Sequence, residues 1–365
     1  MHLVTRLRVH RKHIANHEIE VCPALPLSSG ESRLRIDCFA LTANNISYAA
    51  TGDLLHYWNF FPAPQPWGVV PAWGFATVTE TQSDAVSVGQ RVWGFMPMAS
   101  EFIVQPARAT AHGFIDGAEH RRALPKIYND LVRCAQDPLH QDGQEDAEAL
   151  LRPMFSTSWL VDDFLADNAF FGADTVVLSS ASSKTAYGTA FQLKQRAGLH
   201  RVGLTAAHNK AFVEALGCYH RVLAYEDIAQ LQADAPSAYL DYAGSVDIRR
   251  QVHQHLQALR YSCSIGASHV EDLGPAVDLP GPKPTFFFAP SQAVKRAGEW
   301  GGVELMQRMG KDWQRFLGRV QHASDPWLHV QHHSGPAALR AVYALVLAGG
   351  SPPQHGHVVT LSASG

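Results

Sequence analysis

Long apolar runs, paired cysteines and a glycine-rich phosphate turn are all missing from this chain, and each absence removes a class of protein. No stretch approaches the roughly 18 apolar residues of a membrane-crossing helix. The opening MHLVTRLRVHRKH lacks the apolar core of a signal peptide, so a cytoplasmic protein is expected. The five cysteines, Cys22, Cys38, Cys134, Cys218 and Cys263, form no CxxC pair, which excludes a disulfide framework and a zinc knuckle and leaves reduced, mostly buried thiols. Charge of one sign is also lacking: 30 Lys and Arg face 33 Asp and Glu for a net charge of -3, without a long basic run. Neither nucleic acid nor an anionic membrane is therefore expected as a partner, and small-molecule chemistry remains. Histidine is plentiful at 20 residues, notably in HVQHH (His329, His332, His333), HQH (His253, His255) and HGH (His355, His357). None of these stands in HExxH or joins Cys, Asp and Glu at ligand spacing, so no metal is expected.

With 365 residues and 46% hydrophobic content, the chain has material for about two globular domains. From Thr5 to about Pro106 it breaks into short apolar runs such as SRLRIDCFAL, GVVPAWGFATVTE and GQRVWGFM, punctuated by Gly, Pro, Ser and Asn, which is an all-β pattern. From Ala111 to Asn168 longer segments, LPKIYNDLVRCA and WLVDDFLADN, read as helices, with the acidic DPLHQDGQEDAE between them as a solvated loop. Beyond this, strands (DTVVLSSA, RVGLTAA, RVLAYED, SAYLDYAG, YSCSIGAS, PTFFFAP) alternate with helices (KTAYGTAFQLKQRAG, NKAFVEALG, VDIRRQVHQHLQAL). That alternation predicts βαβ crossovers and an α/β, doubly wound parallel sheet of Rossmann-like type. Apolar runs such as TVVL and TFFF suit a sheet covered on both faces.

The turn after the first of these strands reads SSASSKT, with hydroxyls and a lysine where a dinucleotide fingerprint has glycines. Two readings stand. In one, Ser182, Ser183, Lys184 and Thr185 hold a pyrophosphate over the N-terminus of the following helix. In the other, the cluster only caps that helix. The second strand ends at Thr205 without the acidic residue that binds the ribose 2'-hydroxyl of NADH. Thr205, Asn209 and Lys210 instead suit the 2'-phosphate of NADPH, unless Lys210 is merely a surface charge. Asp241 and Gly244 in LDYAGS, and Gly266 after the next strand, fall at strand ends where doubly wound sheets bind ligands. Asp241 would there orient a hydroxyl or cap the next helix. Arg152 in LLRPMFSTSWLVDDFL would meet a carboxylate or phosphate, or serve a structural salt bridge.

A β-rich first part, a nucleotide-binding middle and a short β return resemble the zinc-independent quinone oxidoreductase branch of the medium-chain dehydrogenase/reductase superfamily. TETQSDAVSVGQRVWGF, KAFVEALGC and GHVVTLS are similar to segments of that branch. The motifs ALTANNISYAATGD, YWNFFPAP, LLRPMFSTSWLVDDFL, SSASSKTAYG and LDYAGS further resemble a domain-of-unknown-function family of bacterial and fungal proteins. The resemblance implies a β-rich GroES-like domain from residues 1–150 with 326–365, a Rossmann-like domain at 151–325, NADPH as cofactor and a homodimer. It implies hydride transfer to an activated C=C, a quinone or a carbonyl. A catalytically silent nucleotide sensor or assembly protein, or a non-redox lyase or isomerase, are the alternatives on the same fold. Asn45 is similar to the asparagine of that branch's N-x-x-D motif, with Tyr48 where the aspartate would stand. Tyr48 first, then Tyr57, are the candidate hydrogen-bond donors to an oxyanion, or else part of an aromatic cap on the core.

Overall fold

The computed structural model describes residues 2–265 and 279–361. Contacts divide the chain into two compact units, Met1–Arg152 with Leu328–Gly365, and Pro153–Trp327.

In the first unit, the strand Ser32–Leu41 lies inside a nine-stranded sheet. It pairs antiparallel with Pro71–Thr81 and with His355–Thr360, the latter running parallel to His329–Ser334. Leu34, Ile36 and Phe39 enter a core completed by Val78, Val92 and Met96. A smaller sheet combines Leu3–His10, His13–Pro23 and Trp67–Val69. The expectation of a helix in LPKIYNDLVRCA is corrected here. That segment forms 3-10 turns at Lys126–Tyr128 and Cys134–Gln136 around a strand, Asp130–Arg133, paired to Arg91–Pro97. The cause is a close approach at Gly94: a Cβ there would sit 2.6 Å from Leu131 Cδ2, so the sheet accepts one more strand at that position. The first helix, α1, spans Ala43–Ala50, and α2 spans Glu145–Asp167.

The second unit is built on six parallel strands in the order Arg221–Ala224, His200–Thr205, Thr175–Leu178, Ser237–Asp241, Leu259–Ile265 and Thr285–Phe287. Val177, Leu204 and Tyr239 from the strands and Val252 from the helix Val246–His255 form its buried centre, as apolar and aromatic side chains on a covered parallel sheet should. The first strand in sequence, Thr175–Leu178, is flanked by the second on one side and the fourth on the other. The order therefore reverses beside it, the point at which open α/β sheets bind ligands. Helix α3, Lys184–Leu193, starts from that position.

Candidate functional site

The turn between Leu178 and α3 is held from both neighbouring strands. Ser179, fully buried, donates through Oγ to Asp241 Oδ1 at 2.9 Å and accepts the N–H groups of Tyr242 and Ala243 at 2.9 and 3.0 Å. Ser180 takes a left-handed backbone (φ 47°), the conformation for which a fingerprint uses glycine, and its N–H donates to the Tyr225 phenol at 2.9 Å. Ala181 donates its N–H to Leu204 O and accepts the Tyr219 phenol, both at 3.0 Å. Ser182 Oγ accepts from Thr205 Oγ1 and Asn209 Nδ2, each at 3.4 Å. Ser183 caps α3 by accepting the Ala186 N–H at 3.3 Å.

Close approach is supplied by glycines outside the turn. A Cβ on Gly203, in the neighbouring strand, would lie 2.9 Å from the Ala181 methyl, and one on Gly188 in α3 would lie 2.7 Å from Ser158 Oγ. Among the described residues, the backbone N–H groups of Ser182 and Thr185 have no acceptor, so the helix start presents free donors beside the serine hydroxyls. Lys184 is half-buried, and loss of water contact pushes its ammonium pKa down to about 8. Asn209 and Lys210 are half-buried on the rim next to Thr205. An anion with two phosphate groups fits this donor set, because orphan amides and hydroxyls meet at a helix N-terminus whose first residue is Lys184.

Asp241 is committed to the scaffold. It accepts from Ser179, from the N–H groups of Ala243 and Gly244 at 3.1 Å, and pairs with Arg249 at 2.8 Å. Gly244 bends the chain with φ 67°, and Ser245 rather than Asp241 caps the next helix. Gly266 lies outside the described residues. Ser179, Tyr225 and Arg249 went unnoticed in sequence; only the doubled serine at a strand end hinted at the first.

In the first unit, a second polar group sits in an aromatic cluster. Tyr48, on α1 and 6% exposed, accepts hydrogen bonds from Asn44 Nδ2 at 2.7 Å and from Trp73 Nε1 at 3.2 Å. Both contacts use the phenol oxygen as acceptor, and among the described residues no group takes its O–H. Burial raises its pKa, so the phenol stays protonated and acts as a donor. The Tyr57 phenol lies 3.1 Å from that of Tyr128, and burial raises both pKa values. The Tyr48 and Tyr57 rings are 4.5 Å apart, with Phe95 edge-on to Tyr48 at 5.3 Å. Asn45 is spent on the start of α1: its Oδ1 accepts the Thr42 N–H at 2.7 Å and its Nδ2 donates to Pro71 O at 2.9 Å. Asn44, one residue earlier, is the asparagine that reaches a tyrosine. Tyr128 was hidden in the segment read as helix. Arg152 is buried, paired with Asp137 and stacked 3.9 Å above Trp93, so its role here is the structural one.

A family profile described as "Protein of unknown function (DUF2855)" matches residues 39–352. Among solved structures, CurA from Vibrio vulnificus is similar over 99% of each chain, with a TM-score of 0.62 and 13% identity. The same protein in complex with NADPH is similar over 98% of this chain and 99% of that one, at a TM-score of 0.61 and 14% identity. The quinone oxidoreductase from Coxiella burnetii is similar over 99% and 100%, at 0.58 and 12%. Likeness at these identities is one of fold: a doubly wound α/β sheet with a β-rich partner, as in the quinone oxidoreductase-like branch. Among curated proteins none matches. No helix among the described residues is long and apolar enough to cross a membrane.

Proposed function

The chain belongs to the family described as protein of unknown function (DUF2855), and from that premise we propose that it is a zinc-independent, NADPH-dependent reductase acting on an activated C=C such as an enone or quinone, or on a carbonyl. One observation carries the reading: a turn at the reversal point of the parallel sheet offers free amides, serine hydroxyls and Lys184 at the start of α3. A structural neighbour solved in complex with NADPH supports the choice of cofactor. When bound, NADPH supplies the hydride.

The protein's part follows from its own groups. Ser182, Ser183, Lys184 and Thr185 bind the pyrophosphate. Thr205, Asn209 and Lys210 bind the 2'-phosphate, for which the strand end carries no opposing carboxylate. Asp241 and Gly244 fix the shape of the adjoining turn through Ser179. Tyr48 donates a hydrogen bond to the substrate oxygen on which charge develops, held in place by Asn44 and Trp73. The Tyr57 and Tyr128 pair has one phenolic hydrogen beyond the one they share, a second donor in the same cluster.

Oxidation of NADPH, followed at its nicotinamide absorbance across enones, quinones and aldehydes, tests the proposal. Turnover with at least one class is expected. NADPH binding without oxidation of any panel member would make the chain a nucleotide sensor, and substrate conversion without net cofactor change would make it a lyase or isomerase.

A further inference from the structure

A group of ligand-type side chains in the first unit lies outside everything assigned so far. His140 and Asp142 stand in the loop before α2 and Glu145 opens that helix, and one donor atom from each lies within 4.8 Å of the others. The Nε2 of His140 is 3.3 Å from Asp142 Oδ1, close to the roughly 3.4 Å edge of a tetrahedron whose bonds are about 2.1 Å. The opposite ring nitrogen, Nδ1, lies 3.0 Å from Glu148 Oε2.

Glu148 is fully buried, and its other oxygen accepts the Gln141 N–H at 2.7 Å, so this carboxylate is fixed before any ion arrives. With Nδ1–H donated to Glu148, the lone pair of Nε2 faces the two outer carboxylates. A second carboxylate that fixes the tautomer and direction of an imidazole is how metal-binding histidines are oriented. Burial of Glu148 also explains why the histidine does not turn away.

The remaining groups agree. The Asp142 side chain is fully exposed, so it serves no packing role. Glu145 gives its Oε1 to Arg91 at 2.7 Å. In the same turn, the amide oxygen of Gln144 is buried and has no donor among the described residues.

We propose that His140, Asp142 and Glu145 bind a divalent transition-metal ion, with Glu148 as the residue that orients His140. One imidazole and two carboxylates suit zinc, whereas magnesium and calcium take oxygen ligands and do not select an imidazole. Three protein ligands leave water to complete the coordination. The ion clamps the loop of residues 137–143 to the start of α2, a structural site separate from hydride chemistry. The competing state is a protonated His140 that bridges Glu148 and Asp142 with no ion.

The test uses the full chain, stripped with chelator and titrated with zinc chloride or magnesium chloride by calorimetry and thermal denaturation. Zinc should bind at this site and raise Tm by roughly 2–5 °C, and magnesium should not. Asp142→Asn, at a fully exposed position, keeps the fold and should weaken the zinc affinity at least tenfold and abolish the Tm shift, as should His140→Gln. Anomalous scattering at the zinc edge should place the ion on His140 Nε2. Unchanged zinc affinity and Tm shift in Asp142→Asn, or zinc found only on other histidines, would overturn the site in favour of the protonated bridge.

Discussion

Replacing Asp241 by Asn isolates the junction that shapes the serine turn before α3. Asp241 is 1% exposed and Arg249 2% exposed, and their ion pair at 2.8 Å is cut off from solvent screening. An asparagine keeps an oxygen for Ser179, Ala243 and Gly244, but it turns an amide donor toward the guanidinium and removes the compensating charge. Breaking a buried pair by neutralising one partner costs about 3–5 kcal/mol, because the other charge remains buried. In a unit of this size about 1 kcal/mol moves Tm by about 2–4 °C, so a fall of roughly 6–20 °C is expected. Native-state hydrogen exchange of a peptide covering residues 237–245 gives the local value directly, since protection there reports the free energy of opening that turn. The double variant Asp241→Asn, Arg249→Met removes the stranded cation and should recover about half the loss, so that it costs less than the sum of the two single variants. If Asp241→Asn costs less than about 1 kcal/mol, or if the two single losses simply add, the pair does not hold the turn.

Three further outcomes follow from the same geometry. Lys184→Ala should weaken NADPH binding about 10- to 100-fold at pH 7, the worth of a charge-assisted hydrogen bond. Because the Lys184 ammonium, before nucleotide binds, titrates near pH 8, wild-type affinity should fall as pH rises from 8 toward 9.5 while the variant's stays flat, checked by fluorescence titration. The same depressed pKa disfavours the folded protein fully below pH 8, and the penalty is relieved as pH rises to the unfolded value of about 10.4, where the unfolded chain also loses its proton. Tyr48→Phe should lower kcat about 10²-fold with little change in KM and no new pH dependence between 6 and 9, since burial keeps the phenol protonated; steady-state rates within twofold of wild type would remove it from the mechanism. Gly68→Ala should destabilise the first unit by about 1–3 kcal/mol in urea denaturation, because its Cβ would lie 2.4 Å from the ring of Trp58, a side chain only 1% exposed.

The alternation of apolar strands with helices from Asp174 onward was legible because the central strands Thr175–Leu178, His200–Thr205 and Ser237–Asp241 are largely buried and the helices Lys184–Leu193 and Val246–His255 are long enough to show their period. The serine turn stood out as a candidate phosphate site by its place after the first of those strands, although it lacks the usual glycines. In the structure Ser180 itself takes the left-handed conformation, and Gly203 and Gly188 allow close packing of the neighbouring strand against Ala181 and of α3 against Ser158. What stayed hidden depends on contacts between distant residues. Ser179 meets Asp241 across 62 positions, and Tyr57 meets Tyr128 across 71. The strand Asp130–Arg133 is too short to show alternation, which is why its segment read as helix and Tyr128 was lost with it. Asn44 was within reach, since a partner four residues ahead lies on the same helical face, yet motif likeness drew attention to Asn45.

The most direct measurement is a pair of fluorescence titrations of the intact chain with NADPH and with NADH. Saturable NADPH binding is expected, tighter than NADH by at least tenfold, through the serine turn and the Thr205, Asn209 and Lys210 rim. A folded protein that binds neither nucleotide would contradict it.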